Sequence, residues 1–182
     1  MCRLLIGFRF ELLGVPLLRE DSGVAAITRA SEACHDWLAS EQFPVGSESY
    51  VVMDKIRLCF HTACSIYVRR ATSEATTTSM AKRLQCEDLQ GSTIRDLIEC
   101  ISLIPPHSPG AHALVWPCFI AGAESSNPVR RAFFVNYMNS IYARTKFRNI
   151  PVAVQSLRNL WANKGDKRWT QCLPEISRVL VM

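Results

Sequence analysis

The spacing of apolar residues along this chain is helical almost throughout. From about Ser22 to Gln42, Val24, Ile27, Ser31, Cys34 and Leu38 follow a three-four rhythm, with Ser22 placed to cap the first turn. A cleaner stripe of Val52, Ile56, Cys59, Ala63 and Tyr67 runs between Ser49 and Arg70, while Asp54, His61, Ser65 and Arg69 fall off it. The turn between these two helices is Phe43-Pro44-Val45-Gly46. Residues 71–91 change character: Thr, Ser and charge replace large apolar groups, which predicts a flexible connection with at most a short helix at Met80 to Leu84. Ile94, Leu97, Ile98, Ile101 and Ile104 then resume the helical stripe. Thr93, with Asp96 three residues on, is placed to cap its start, and Pro105-Pro106 end it.

Between His112 and Glu124 stand eleven uncharged, mostly apolar residues, Ala113 to Ala123. As a helix they have no polar face, so other elements must enclose them. A bilayer span needs about 20 such residues, so no membrane crossing is expected here. The helix is expected to begin near Pro109 and to kink at Pro117, whose ring and missing N–H release the carbonyl of Ala113. Asn127-Pro128 reads as a cap with proline in the first turn, ahead of Phe133, Phe134, Tyr137, Met138 and Ile141. Asn149 to Asn163 repeats the device with Pro151 and buries Val154, Leu157, Leu160 and Trp161 before Lys164-Gly165. Trp169, Leu173, Ile176 and Leu180 suggest a last short helix around Pro174. The β-branched runs at Val51-Val52 and Val179–Val181 are too brief for strands, and no repeating signature supports a solenoid. The expected fold is all-α: an irregular bundle of six or seven helices in a single domain over residues 1–182.

Composition fits that picture, since 182 residues with 48% hydrophobic content suffice for a core. The eight cysteines are scattered singly, with no CxxC pair, and read as reduced core residues rather than as a disulfide framework. Arg9 and Glu11 interrupt the apolar start, and Leu12 to Leu18 includes Gly14 and Pro16, which makes a poor signal peptide. Charge is unevenly placed: residues 1–126 carry 11 basic and 14 acidic side chains, residues 127–182 carry 10 and 2. Only the C-terminal third is basic. Arg130, Arg131, Arg144, Lys146, Arg148, Lys167 and Arg168 are therefore the candidate contacts for an acidic protein surface or nucleic acid, against the plainer reading of solvated helix faces. Binding of nucleic acid by this set would weaken steeply with salt.

Reactive constellations are scarce. Cys59, His61 and Cys64 suggest a metal site, but on one helix His61 lies about 200° and Cys64 about 140° around from Cys59, so they cannot converge. His107 and His112 have no further ligand at a readable spacing. Cys118 lies in the most apolar helix, where burial makes a thiol inert, and His35 points away from its neighbour Cys34. Glycine-rich phosphate loops and hydrolase signatures are lacking. Gly122 is placed to permit close helix packing, and Trp37, Trp116 and Trp161 fall on apolar surfaces, with Trp169 left nearer solvent. No catalytic residue, metal or cofactor is expected.

The order Leu114-Val-Trp-Pro-Cys-Phe-Ile-Ala-Gly-Ala-Glu124, then Asn127-Pro128-Val129-Arg130-Arg131-Ala132-Phe133, Asn149, Leu157 to Trp161 and Trp169 resembles the C-terminal part of the fungal-specific transcription factor domain. Upstream, Ile56 to Arg70 resembles that family's helix ending in Ile-Tyr-Leu and basic residues, so the likeness covers about residues 50 to 175. This resemblance implies a non-catalytic, all-helical regulatory region, comparable to the C-terminal half of a larger domain. The six-cysteine zinc cluster that accompanies the family is absent from these residues, so no direct DNA reading is expected from them. Implied partners are proteins of the transcription machinery or a regulator, with a homodimer compatible, in the nucleus. The competing readings are a helical protein-interaction scaffold outside transcription and, from cysteine and histidine content alone, a thiol-dependent enzyme.

Overall fold

The computed structural model describes residues 46–76 and 80–162, side chains from 71 to 89 excepted, together with the helical residues Ala25, Thr28, Arg29 and Glu32. Among the described residues five α-helices have defined bounds: α1 Glu48–Thr76, α2 Met80–Ser102, α3 Val115–Glu124, α4 Pro128–Thr145 and α5 Asn149–Ala162, with a 3₁₀ turn, Ala111–Leu114, ahead of α3. No strand occurs among the described residues. Nor is any helix among them long and apolar enough to cross a membrane. The all-helical expectation holds, whereas the count of six or seven does not follow from these residues. Most of the predicted helix over 22–42 and all of the one around Pro174 lie outside the described residues.

Helix α1 begins where Ser47 Oγ accepts the N–H of Tyr50 at 3.2 Å. It then runs six residues past the expected end at Arg70. Helix α2 starts at Met80 and continues unbroken to Ser102, so the short helix at 80–84 and the separate start at Thr93 are both overturned. The reason is tertiary. Thr93 Oγ1 accepts from Arg69 Nη1 of α1 at 3.4 Å instead of capping its own helix. One turn earlier, the buried Gln90 donates Nε2 to the Ile66 carbonyl at 3.3 Å. With Cys100 Sγ donating to the Lys55 carbonyl at 3.7 Å, these pairings make α1 and α2 antiparallel neighbours. Of the stretch 71–91, residues 71–76 and 80–91 are helical, and 77–79 lie outside the described residues.

Helix α3 packs against α1, α4 and α5. Val115, Pro117, Cys118, Phe119, Ile120, Ala121 and Gly122 are all buried, as a helix without a polar face requires. It does not start near Pro109, and Pro117 falls in its first turn. Gly110, at φ +83°, turns the chain into the 3₁₀ segment, and α3 proper begins at Val115. That places Pro117 third in the helix, where a backbone N–H has no carbonyl to meet within the helix, so the ring costs no hydrogen bond. Trp116, half-buried, stacks on Phe60 of α1 with ring centroids 5.5 Å apart and planes 6° from parallel. Farther along, Arg70 Nε pairs with Glu124 at 3.6 Å, so α1 and α3 run side by side in the same direction. This pairing offsets the unfavourable placement of a carboxylate at a helix C-terminus.

Asn127 Oδ1 accepts the N–H groups of Val129 at 2.8 Å and Arg130 at 3.4 Å, which makes the expected cap for α4, with Pro128 beside it. The buried Tyr137 hydroxyl donates to the Ile104 carbonyl at 2.7 Å, tying α4 to the segment that follows α2. Helix α5 covers the remaining side with Ile150, Ala153, Val154 and Leu157. At the crossing of α3 with α4 and α5, a Cβ on Gly122 would stand 3.1 Å from Leu157 Cδ1 and 3.7 Å from Phe134 Cβ. Glycine allows the backbones that close. Gly122→Ala is expected to be nearly neutral, because about 0.5–1 kcal/mol of helix propensity works against the contact. Gly122→Val, with two further methyl groups in a filled core, should lose about 1–3 kcal/mol in urea unfolding.

Candidate functional site

The seven basic candidates separate into classes once the helices are in place. Arg130 donates Nη1 to the Gly91 carbonyl at 3.2 Å, linking α4 to α2. Arg131 donates Nε to the Ser125 carbonyl at 2.7 Å. Its guanidinium also lies 5.0 Å from the centre of the Trp161 ring. Trp161 Nε1 in turn donates to the Gly122 carbonyl at 3.0 Å. Arg131 and Trp161 thus finish the C-terminal end of α3, where helical carbonyls run out of helical partners. Both arginines are half-buried.

Arg144, Lys146 and Arg148 are exposed and cluster in sequence around the turn from α4 to α5. Phe147 and Val152 keep 40% and 46% of their surface there, so cationic and apolar groups share this corner. Lys146 closes α4 with φ +55°, a left-handed conformation usually left to Gly or Asn. Its ammonium sits 5.5 Å from the centre of the Tyr142 ring. Phe147 meets His112 edge-on, at 5.7 Å between ring centroids. Partial burial, and then the charge of Arg144, hold His112 below the ordinary histidine range. Lys167 and Arg168 lie outside the described residues.

Four of the eight cysteines are among the residues whose side chains are described. Cys59, Cys64 and Cys118 are buried and Cys100 is half-buried, all with free thiols. Burial alone pushes Cys64 and Cys118 up. Among the described residues no group of three or more His, Cys, Asp or Glu is arranged to hold a metal ion. Sequence reasoning missed the contact of Cys100 with α1, where its Sγ donates to the Lys55 carbonyl at 3.7 Å. That contact depends on the α1–α2 register, which neither apolar stripe encodes.

The family model of the fungal specific transcription factor domain matches residues 26–181, extending on both sides beyond the stretch where the resemblance was drawn. No curated protein and no solved structure matches the chain.

Urea midpoints should separate the cations that build the fold from those that face outward. Arg131→Ala leaves the Ser125 carbonyl and the Trp161 ring without their cation and should cost about 1–2 kcal/mol. Arg144→Ala and Arg148→Ala should stay within about 0.5 kcal/mol of the parent, and Lys146→Gly should gain about 0.5–1 kcal/mol by removing left-handed strain. Acid sensitivity has its own sign. His61, by burial and then the charge of Arg57, and His112 both titrate below their unfolded value. The unfolded chain therefore binds more protons as pH falls through about 6.5, and stability should decline from there downward. Thermal midpoints measured between about pH 7.5 and 5.5 check this, and Arg144→Ala should blunt the decline.

Proposed function

The chain belongs to the fungal specific transcription factor domain family, and from that membership we propose that it is the regulatory or effector region of a fungal-type transcription factor, acting in the nucleus through protein contacts. Membership points to a role in regulating transcription. The further reading, that these residues neither catalyse a reaction nor read DNA by themselves, rests on how their chemistry is distributed. The motif around Trp116 is occupied in packing: Val115, Pro117, Cys118, Phe119, Ile120 and Ala121 are buried, and Trp116 stacks on Phe60. Arg130 and Arg131 bind backbone carbonyls of their own chain.

The single observation that carries the proposal is what this packing leaves outside. Arg144, Lys146 and Arg148, next to the exposed rings and methyls of Phe147 and Val152, form a corner suited to an acidic protein surface with apolar side chains. Lys146 keeps a left-handed backbone there at a cost to stability, as functional positions often do.

The test tethers the chain to an unrelated DNA-binding module and reads a reporter. A change of several-fold in output is expected, and Arg144→Glu, Lys146→Glu and Arg148→Glu together should abolish it while leaving the urea midpoint in place. Pull-down from nuclear extract should lose the same partners. An unchanged reporter, or partners that are all cytosolic, would overturn the reading and favour a scaffold outside transcription.

A further inference from the structure

Phe147 is an exposed ring on a pinned backbone. Thr145 Oγ1 donates to the Ile141 carbonyl at 3.0 Å and accepts the Phe147 N–H at 3.4 Å. On the other side, where α5 begins, the Phe147 carbonyl accepts the Ile150 N–H at 3.1 Å. The ring stands edge-on to the half-buried His112 of the 3₁₀ turn, 5.7 Å between centroids, yet 40% of the residue stays exposed. A ring held in place before a partner arrives loses little further freedom on contact.

The charge around that ring has one sign. Arg144 and Lys146 precede it in sequence and Arg148 follows it, all three exposed. Between Glu124 and Asp166 the sequence has no Asp or Glu, so α4, the turn and α5 hold no carboxylate side chain. From Leu103 to Ala123, the stretch that contributes His112, there is none either. Positive charge without an acidic neighbour on its own helices suits a partner that brings carboxylates.

We infer that the occupant of the docking corner proposed above, on which reading this step rests, is a short acidic peptide segment built around one large apolar side chain. Its carboxylates meet Arg144, Lys146 and Arg148, and its apolar side chain packs on Phe147, with Val152 at the start of α5 beside it. His112 is a positioning residue: it holds the Phe147 ring at the angle the incoming side chain meets. Cations alone would accept a nucleic-acid backbone equally well. A duplex would lay phosphates on the cations and leave Phe147 and Val152 in water, whereas a peptide with both kinds of side chain covers both kinds of surface.

The experiment titrates the folded full chain into a fluorescein-labelled peptide of aspartates and glutamates around a central phenylalanine and reads anisotropy. Saturable binding is expected, weakening several-fold as added salt rises from about 50 to about 200 mM. Alanine in place of the peptide's phenylalanine, or Phe147→Ala in the chain, should each weaken it about ten-fold, and the two together should do little more than one alone. His112→Ala should weaken binding about three-fold, and His112→Phe, which keeps an aromatic edge, should restore it. Urea midpoints check that each variant is folded, and the alanine peptide tests the parent chain without any substitution. No binding, equal binding of the phenylalanine and alanine peptides, or displacement by duplex DNA or phosphatidylserine vesicles at matched charge would overturn this occupant. A reporter silenced by the triple glutamate variant, with peptides bound without preference, would remove the occupant and leave the transcriptional reading standing; selective peptide binding with an unchanged reporter would do the reverse.

Discussion

A helix that is apolar on every side can exist in water only when other helices cover it, and α3 imposes this requirement on the whole fold. Its burial stabilises through the area removed from water, roughly 25 cal/mol per Å². Its ends pose the harder problem, because the last carbonyls of a helix need partners and a buried one left alone costs about 1–3 kcal/mol. Here the Ser125 N–H returns to Ala121 and Gly122 at 3.0 and 3.3 Å. The Trp161 indole and the Arg131 guanidinium, from α5 and α4, take the Gly122 and Ser125 carbonyls. Polar tips of otherwise apolar or long side chains thus close this end from the neighbouring helices. That closure also explains why a tryptophan and an arginine from different helices must stack.

The same requirement divides the basic residues of the C-terminal third. A guanidinium offers several donors in a planar fork, so arginine can reach a carbonyl at a helix junction and still lie flat on an aromatic ring. Arg130 and Arg131 do this work inside the junctions of α4. Farther along α4, Arg144 and Lys146 are exposed, with the Lys146 ammonium over the Tyr142 ring. Among the described residues, Arg130 and Arg131 are thus engaged within the fold, while Arg144, Lys146 and Arg148 stay exposed at the α4–α5 turn.

Much of this architecture was legible in the apolar spacing. The stripe Ile94, Leu97, Ile101 and Ile104, the Asn127-Pro128 cap and the buried set Phe134, Tyr137, Met138 and Ile141 all appear where the period of 3.6 residues puts them. Tertiary structure changed what local signals suggested in two places. Thr93 looks like a cap because its hydroxyl is short and polar, but Arg69 of the neighbouring helix claims that hydroxyl and α2 runs through. Pro117 looks like a kink only if the helix starts well before it, and the 3₁₀ turn at Ala111–Leu114 moves the start downstream. Of the candidate surface, sequence identified the charges but not their roles, since a carbonyl bound across 39 residues by Arg130 leaves no trace in local composition.

Helix α1 shows what a single apolar stripe leaves out. Its Ile66 and Lys55 carbonyls meet α2 while Phe60 and Arg70 meet α3. A helix shared by two neighbours buries a broader sector than a surface helix does, and Ile56, Cys59, Phe60, Ala63, Cys64, Ile66 and Val68 cover more than one stripe of it. Small, polarizable cysteine suits the seam where two such sectors meet, because it packs like an apolar residue yet can still donate to a spare carbonyl.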